Sequence, residues 1–257
     1  MVRPMRSIFG FVLIGALLQM QALASTRLLL VGGGKRPEQA LRRFVAWSGE
    51  SASRILIIGW PSTIPGDYVR SLSAELSALG ATRILVSETA PVSESGKEEF
   101  LSQLAQATGV FFTGGDQNRA MAAIEAWDLK SSLRKRFEAG IPFAGTSAGT
   151  ALMAEAMITG KEYPRTAPGL GLFTPAVIDM HFLKRNREPR LIAAMADAGM
   201  HFGIGVDEDG AVAIEDSLRA EVLGTQHVMF YESIGGRTMS FELEGGDRFD
   251  LKGWRSR

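Results

Sequence analysis

Ile141-Pro142-Phe143-Ala144-Gly145-Thr146-Ser147-Ala148-Gly149 is a short apolar run that breaks into G-x-S-x-G. The spacing predicts a strand over 141–144, a sharp turn at Ser147, and a helix running on to about Ile158. A serine so placed is pushed onto a strained strand-to-helix turn with its Oγ exposed at the edge of a sheet. Small neighbours avoid clashes, and the following N–H groups point toward a developing oxyanion. The helix N-terminus adds partial positive charge at the same spot. The plainer alternative is a Gly-rich turn with a serine cap.

Upstream, apolar runs alternate with helix-like spacing. Arg27–Val31, Arg54–Ile58, Thr82–Ser87 and Val110–Phe112 read as strands, and the 3.6-residue spacing over 37–47, 68–79, 98–107 and 119–139 reads as helices. Gly80, Gly109 and Gly140 follow three of these helices, where chains commonly turn out of a helix. Strands separated by helices imply βαβ crossovers, so the fold class is α/β, a mostly parallel sheet flanked by helices on both faces. Beyond Gly160 the pattern changes. Ala176–Ile178, Gly203–Val206, Ala211–Ile214 and Gln226–Tyr231 are short apolar runs divided by Gly and acidic turns. They are expected to be added C-terminal strands, some antiparallel, in the same sheet. Ligands of such sheets bind beyond the strands' carboxyl ends, where the Gly-rich segments fall.

The 257 residues are 46% apolar and hold equal numbers of basic and acidic side chains, 28 of each. That excludes a disordered chain and removes the charge excess expected of a nucleic-acid binder. There is no cysteine, which excludes a disulfide scaffold and a lipoprotein anchor. Arg3 and Arg6, the apolar run Ile8–Leu18 and the small-x-small Ala22-Leu23-Ala24 form a signal-peptide pattern. The run is well short of the ~20 residues a spanning helix needs. The expectation is a cleaved signal peptide over 1–24, no stable membrane anchor, and a single domain over 25–257 located in the periplasm or outside the cell.

Two further glycine turns flank the serine turn. Gly32-Gly33-Gly34 fails the dinucleotide fingerprint, because the third glycine would fall on Pro37. A tight turn, or a close backbone approach, is the expectation there. Gly114-Gly115-Asp116-Gln117 follows the neighbouring strand, with Asp116 suited to cap a helix, Gly115 N–H to join Ala148 N–H in an oxyanion hole, and Gln117 to bind substrate. A serine nucleophile needs a base, and the only histidines are His181, His201 and His227. The order Ser147, then Asp207 or Glu208, then His227 fits α/β-hydrolases but puts the base inside a strand. The order Ser147, His181, Glu208 puts each group at a strand end. Both remain open on spacing alone, since geometry defines a triad. Arg185, Arg187 and Arg190 suit carboxylate recognition; a solvated basic helix face is the ordinary alternative. No zinc-type spacing appears, so neither metal nor organic cofactor is expected.

Phe112–Gln117 (FTGGDQ), Gly145–Gly149 (GTSAG), Gly169–Leu172 (GLGL), the stretch 178–190 and Gly203–Glu208 (GIGVDE) stand in the order seen in cyanophycinases. The chain resembles these serine peptidases, relatives of aspartyl dipeptidase, over nearly all its length after residue 24. The resemblance implies a flavodoxin-like fold similar to class I glutamine amidotransferases, with Ser147 as nucleophile, His181 as base and Glu208 as orienting acid. It implies substrate contacts from Gln117, Asp179, Arg185, Arg187 and Arg190, a peptide or isopeptide substrate linked through aspartate, and a homodimer. Two departures stand out. Met180 occupies a position where cyanophycinases usually carry glutamine, and the stretch 160–169 is shorter than in polymer-cleaving members. Pro189 is expected to shift Arg190. The rival readings are an esterase or amidase using His227, and a non-catalytic periplasmic binder of carboxylate peptides.

Overall fold

A computed structural model of the chain describes residues 25–159 and 165–252. Residues 1–24, expected above to be a signal peptide, and part of the stretch 160–169 lie outside the described residues. The first half runs β1 (Arg27–Val31), α1 (Glu38–Trp47), β2 (Arg54–Ile58), α2 (Pro65–Ala78), β3 (Arg83–Ser87), α3 (Glu94–Gln106) and β4 (Gly109–Phe112). It continues with α4 (Gln117–Ala126), α5 (Lys130–Glu138), β5 (Phe143–Thr146) and α6 (Ala148–Ala151). Then come β6 (Ala154–Ile158), β7 (Thr166–Pro168), β8 (Phe173–Met180), α7 (Glu188–Ala198) and β9 (Phe202–Val206). The last strands are β10 (Gly210–Glu215), β11 (Arg219–Gly224), β12 (Val228–Ile234), β13 (Arg237–Leu243) and β14 (Arg248–Asp250).

The first sheet has the order β14-β11-β10-β1-β5-β4-β2-β3. Its five strands β1 to β5 are parallel, as expected of βαβ crossovers, and β10, β11 and β14 extend it antiparallel. The expectation of one sheet fails for the rest. A second sheet, β13-β12-β9-β8-β6-β7, holds β8 and β9 parallel to β6, with antiparallel partners on both sides. Apolar alternation reports that a strand is buried, not which strand lies beside it.

The core follows from these layers. Leu29, Val31, Ile55 and Ile57 face α1 and α2. The alternate residues Leu28, Leu30, Leu56 and Ile58 face α3, α4, α5 and the inner face of the second sheet, where Ile178, Ile204 and Phe230 are fully buried. The outer face of that sheet, with Val177 and Tyr231, is covered by Leu191, Ala194 and Met195 of α7.

Two helices differ from the sequence expectation. The helix after Ser147 stops at Ala151, and Ala154–Ile158 is a strand bonded to β7 and β8. Ala, Glu and Met all favour helix, but propensity is worth only tenths of a kcal/mol per residue, roughly, and pairing on both sides overrides it. The stretch 119–139 is two helices broken at Asp128, whose φ is +51°, which lets Leu129 enter the core.

Candidate active site

Ser147 leaves β5 with φ +52° and ψ −115°, a conformation an L-residue holds only when its surroundings impose it. Its N–H donates to Val31 O at 3.0 Å. A Cβ on Gly145 would lie 2.3 Å from Gly149 C and O, and one on Gly149 would lie 2.3 Å from Phe112 O. The two flanking glycines are therefore demanded by packing. Thr150 adds a lock, accepting from Val31 N–H at 3.1 Å, with its hydroxyl 2.6 Å from Val31 O and 2.7 Å from Gly145 O.

His181 follows β8 directly, also at positive φ (+51°), and donates its backbone N–H to Gly32 O at 2.9 Å. Its imidazole rests against Gly33, where a Cβ would lie 2.3 Å from Cε1. The first glycine triplet thus serves a close backbone approach, and what approaches is the histidine. His181 Nε2 is 2.8 Å from Ser147 Oγ, and His181 Nδ1 is 2.6 Å from Glu208 Oε1. Glu208 lies on the connection from β9, in the second sheet, to β10, in the first. The three side chains therefore meet where the carboxyl ends of the two sheets converge, beyond β5, β8 and β9.

Burial pushes the His181 imidazole below its ordinary value; the Glu208 contact opposes this, and Arg185 and Arg187 add to the lowering. The hydrogen bond with His181 holds Glu208 below the usual carboxylate range. A neutral imidazole that donates from Nδ1 to Glu208 leaves Nε2 free to accept the Ser147 proton.

Gly114 abuts the serine, with a built Cβ 3.4 Å from Ser147 Cβ and 3.9 Å from Oγ. Gly115 follows at φ +139°, pressed against Pro61 O, and no described residue accepts its N–H. Ala148 is the first residue of α6, so its N–H has no acceptor within the helix. Both line a cleft of about 330 Å³ with Ser147, His181 and the three arginines. With four residues α6 carries little macrodipole, so these individual N–H groups are the local donors.

Asp116 caps α4 by accepting from Asn118 N–H at 2.8 Å, and Gln117 lines the cleft. Gln117 Nε2 donates to Ile158 O of β6 at 2.6 Å, which leaves Oε1 as its free acceptor. Arg185, Arg187 and Arg190 all reach the cleft, so they do not form a solvated helix face. Asp179 does not reach it. Its side chain is 0% exposed and lies behind the two inner arginines, 3.2 Å from Arg187 Nη1 and 3.0 Å from Arg190 Nε. A direct substrate contact from Asp179 is therefore ruled out by burial. Burial pushes its carboxyl up from the ordinary range, against the pull of Arg190 and Arg187. Arg187 Nη1 also donates to Met180 O at 2.7 Å, and the nearly buried Met180 lines the cleft. Pro189 sits in the first turn of α7, where proline is well tolerated, and does not move Arg190 out of reach.

His227 precedes β12 and pairs with Glu242 of β13 at 3.0 Å; His201 is 3.0 Å from Ser233 O. Neither lines the cleft. Asp207 accepts from Lys184 N–H at 2.9 Å and shapes the turn after His181. The α/β-hydrolase order is not met in space. Sequence reading missed Thr150 and the role of β6 as a wall behind Gln117, for which no local signal exists. It left the first glycine triplet without a named neighbour, though three consecutive glycines were signal enough for a close approach. Among the described residues there is no acidic or histidine cluster able to hold a metal, and no helix long and apolar enough to cross a membrane.

Comparison with known proteins bears on the same region. The sequence model of peptidase family S51 matches residues 28–221. The cyanophycinase of Trichormus variabilis is 33% identical over 215 residues, covering 77% of this chain and 71% of its own. That of Geminocystis herdmanii is 30% identical over 241 residues, covering 88% and 86%. Among solved structures, a peptidase from an acI-B1 Actinobacterium superposes with a TM-score of 0.68 at 17% identity, covering 89% of this chain and 97% of that one. At that identity the likeness speaks for the fold alone. With the family match spanning most of the chain and all three residues of the serine–histidine–glutamate array, the protein belongs to peptidase family S51.

Proposed function

We propose that this serine peptidase hydrolyses β-linked aspartyl peptides, either cyanophycin, the Asp-Arg polymer, or isopeptides derived from it, through an acyl-enzyme on Ser147. The observation that carries the reading is the unbroken line Ser147 Oγ, His181, Glu208, at 2.8 and 2.6 Å, opening into a cleft lined by three arginines. The names of the relatives support the substrate class. His181 Nε2 takes the Ser147 proton as Oγ attacks the amide carbon. The N–H groups of Ala148 and Gly115 hold the oxyanion, worth about 3–4 kcal/mol per donor in well-studied cases. His181 then protonates the leaving amine while Glu208 stabilises the imidazolium, and water repeats the cycle on the acyl-enzyme. The arginines take the carboxylates that an aspartyl substrate carries.

The test is product release by mass spectrometry, wild type beside Ser147→Ala, on cyanophycin and a panel of β- and α-linked Asp dipeptides. Release of β-Asp-Arg from the polymer by wild type alone supports the full reading. Cleavage of small β-aspartyl peptides only keeps the mechanism and moves the substrate, with apolar Met180 as the first residue to revert. No cleavage by wild type overturns it. Export is proposed from the pattern in residues 3–24; expression of the whole chain should yield a periplasmic or secreted product beginning at Ser25. A homodimer is proposed on the family likeness, to be checked by light scattering.

A further inference from the structure

The three arginines of the cleft are not held alike. Arg187 and Arg190 are 15% exposed and tied to the buried Asp179. The Arg185 side chain is 51% exposed, and its guanidinium makes no hydrogen bond among the described residues. Its nearest charged partner is Glu208 Oε1, 3.9 Å away, the same oxygen that meets His181 Nδ1 at 2.6 Å. Its backbone is anchored, with Arg185 N–H donating to His181 O at 3.1 Å, so only the side chain is free to change partner.

We propose that Arg185 is a positioning residue that couples occupancy of the cleft to the strength of the base. Arg185 lies 3.9 Å from Glu208 Oε1, and a substrate carboxylate draws it away, leaving Glu208 to His181 alone. The inference rests on the assignment of Ser147, His181 and Glu208 given above. A short bidentate pair with an incoming carboxylate is stronger than a loose, half-solvated contact at 3.9 Å, so the exchange is favourable. Removing a cation from beside Glu208 makes the imidazole a stronger base at the moment substrate is present. The direction of Arg185's influence on His181, a lowering, agrees with this.

Other charged groups surround the pair. Lys184 and Arg185 stand on the turn after His181, and Arg187 and Arg190 face it with their counter-ion Asp179. Asp207 and Asp209 flank Glu208, with Asp209 accepting from Lys35 N–H, and Asp116 lies across the cleft. Among the three cleft arginines, Arg185 alone has no buried counter-ion.

The test is NMR titration of the full-length chain labelled at histidine Cε1, with His181 assigned by His181→Asn and succinate as the carboxylate probe. Saturating succinate is expected to raise the His181 pKa by about half a pH unit or more, the scale of a nearby, partly solvated charge. Arg185→Gln is expected to raise it by a similar amount in the empty protein and to shrink the succinate-dependent rise, with Arg187 and Arg190 still binding succinate at higher concentration. Arg185→Lys, which keeps the charge, should return the empty-protein value toward wild type. An empty-protein value unmoved by Arg185→Gln, or a succinate rise equal in both proteins, overturns the coupling and leaves Arg185 a binding residue. Labelling by a fluorophosphonate separates this from failure of the underlying assignment. If Ser147 is not labelled, or is labelled equally fast in His181→Asn, the assignment itself fails.

Discussion

Glu208 and Asp179 each hold basic side chains beside the same cleft, in opposite surroundings. Glu208 is partly open to solvent and meets an imidazole, which can titrate; Asp179 is sealed and holds two guanidiniums that are always charged. The open carboxylate can adjust a neighbour's basicity because the neighbour titrates. The sealed one can only fix position, since Arg187 and Arg190 stay protonated under all ordinary conditions. One acid is thus suited to chemistry and the other to the shape of the binding wall, although the side chains they hold line the same cleft.

That contrast is open to direct attack. Glu208→Gln is expected to lower kcat about 10⁴-fold with the fold intact, by analogy with loss of the orienting carboxylate in other triads; a loss confined to KM would erase the distinction. Asp179→Asn leaves two partly buried guanidiniums short of a counter-ion. It should loosen both arginines and raise KM more than it lowers kcat. A fall in kcat at constant KM would place Asp179 in the chemistry and break the comparison. Gly33→Ala puts a methyl where the imidazole lies and strains a positive φ; a displacement of about 1 Å is worth about 10²-fold in kcat/KM, with serine labelling slowed in parallel. The smallest effect is expected from Met180→Gln. This nearly isosteric change at the cleft should shift preference between polymer and dipeptide by less than about tenfold, the scale of one pocket contact, read as a ratio of kcat/KM values.

The pH profile sharpens the same point. His181 sits below its ordinary value of 6.5, and the proposed mechanism uses its neutral form as the base. Activity should therefore hold at neutral pH and fall as pH drops through a midpoint below 6.5. A midpoint above 6.5 in the free enzyme would mean that pairing with Glu208, rather than burial, dominates the imidazole.

Much of the cleft is legible in the sequence. The strained serine turn is written in neighbours one and two residues away, because Gly145 and Gly149 are required by contacts within the turn and by the adjacent strand. Gly115 and Gln117 were legible for the same reason, since they follow a strand directly. The base was not settled by spacing: His181 and His227 both had an acid at a plausible distance along the chain, and family likeness rather than local pattern favoured the first. The family likeness implied a substrate contact from Asp179, and only its burial shows that it faces inward.

The sequence by itself determined the elements whose causes are local. These are the parallel βαβ series from Arg27 to Thr146, the serine turn, and the presence of a cluster of arginines after His181. Tertiary structure alone decided which strands share a sheet, that Ala154–Ile158 is a strand despite helix-favouring residues, that Gly33 seats the imidazole, and which acid meets which cation. The reason is physical. Backbone conformation at a turn responds to the nearest few residues, whereas strand partners, burial and charge pairing are set by groups that the folded chain brings together from far apart.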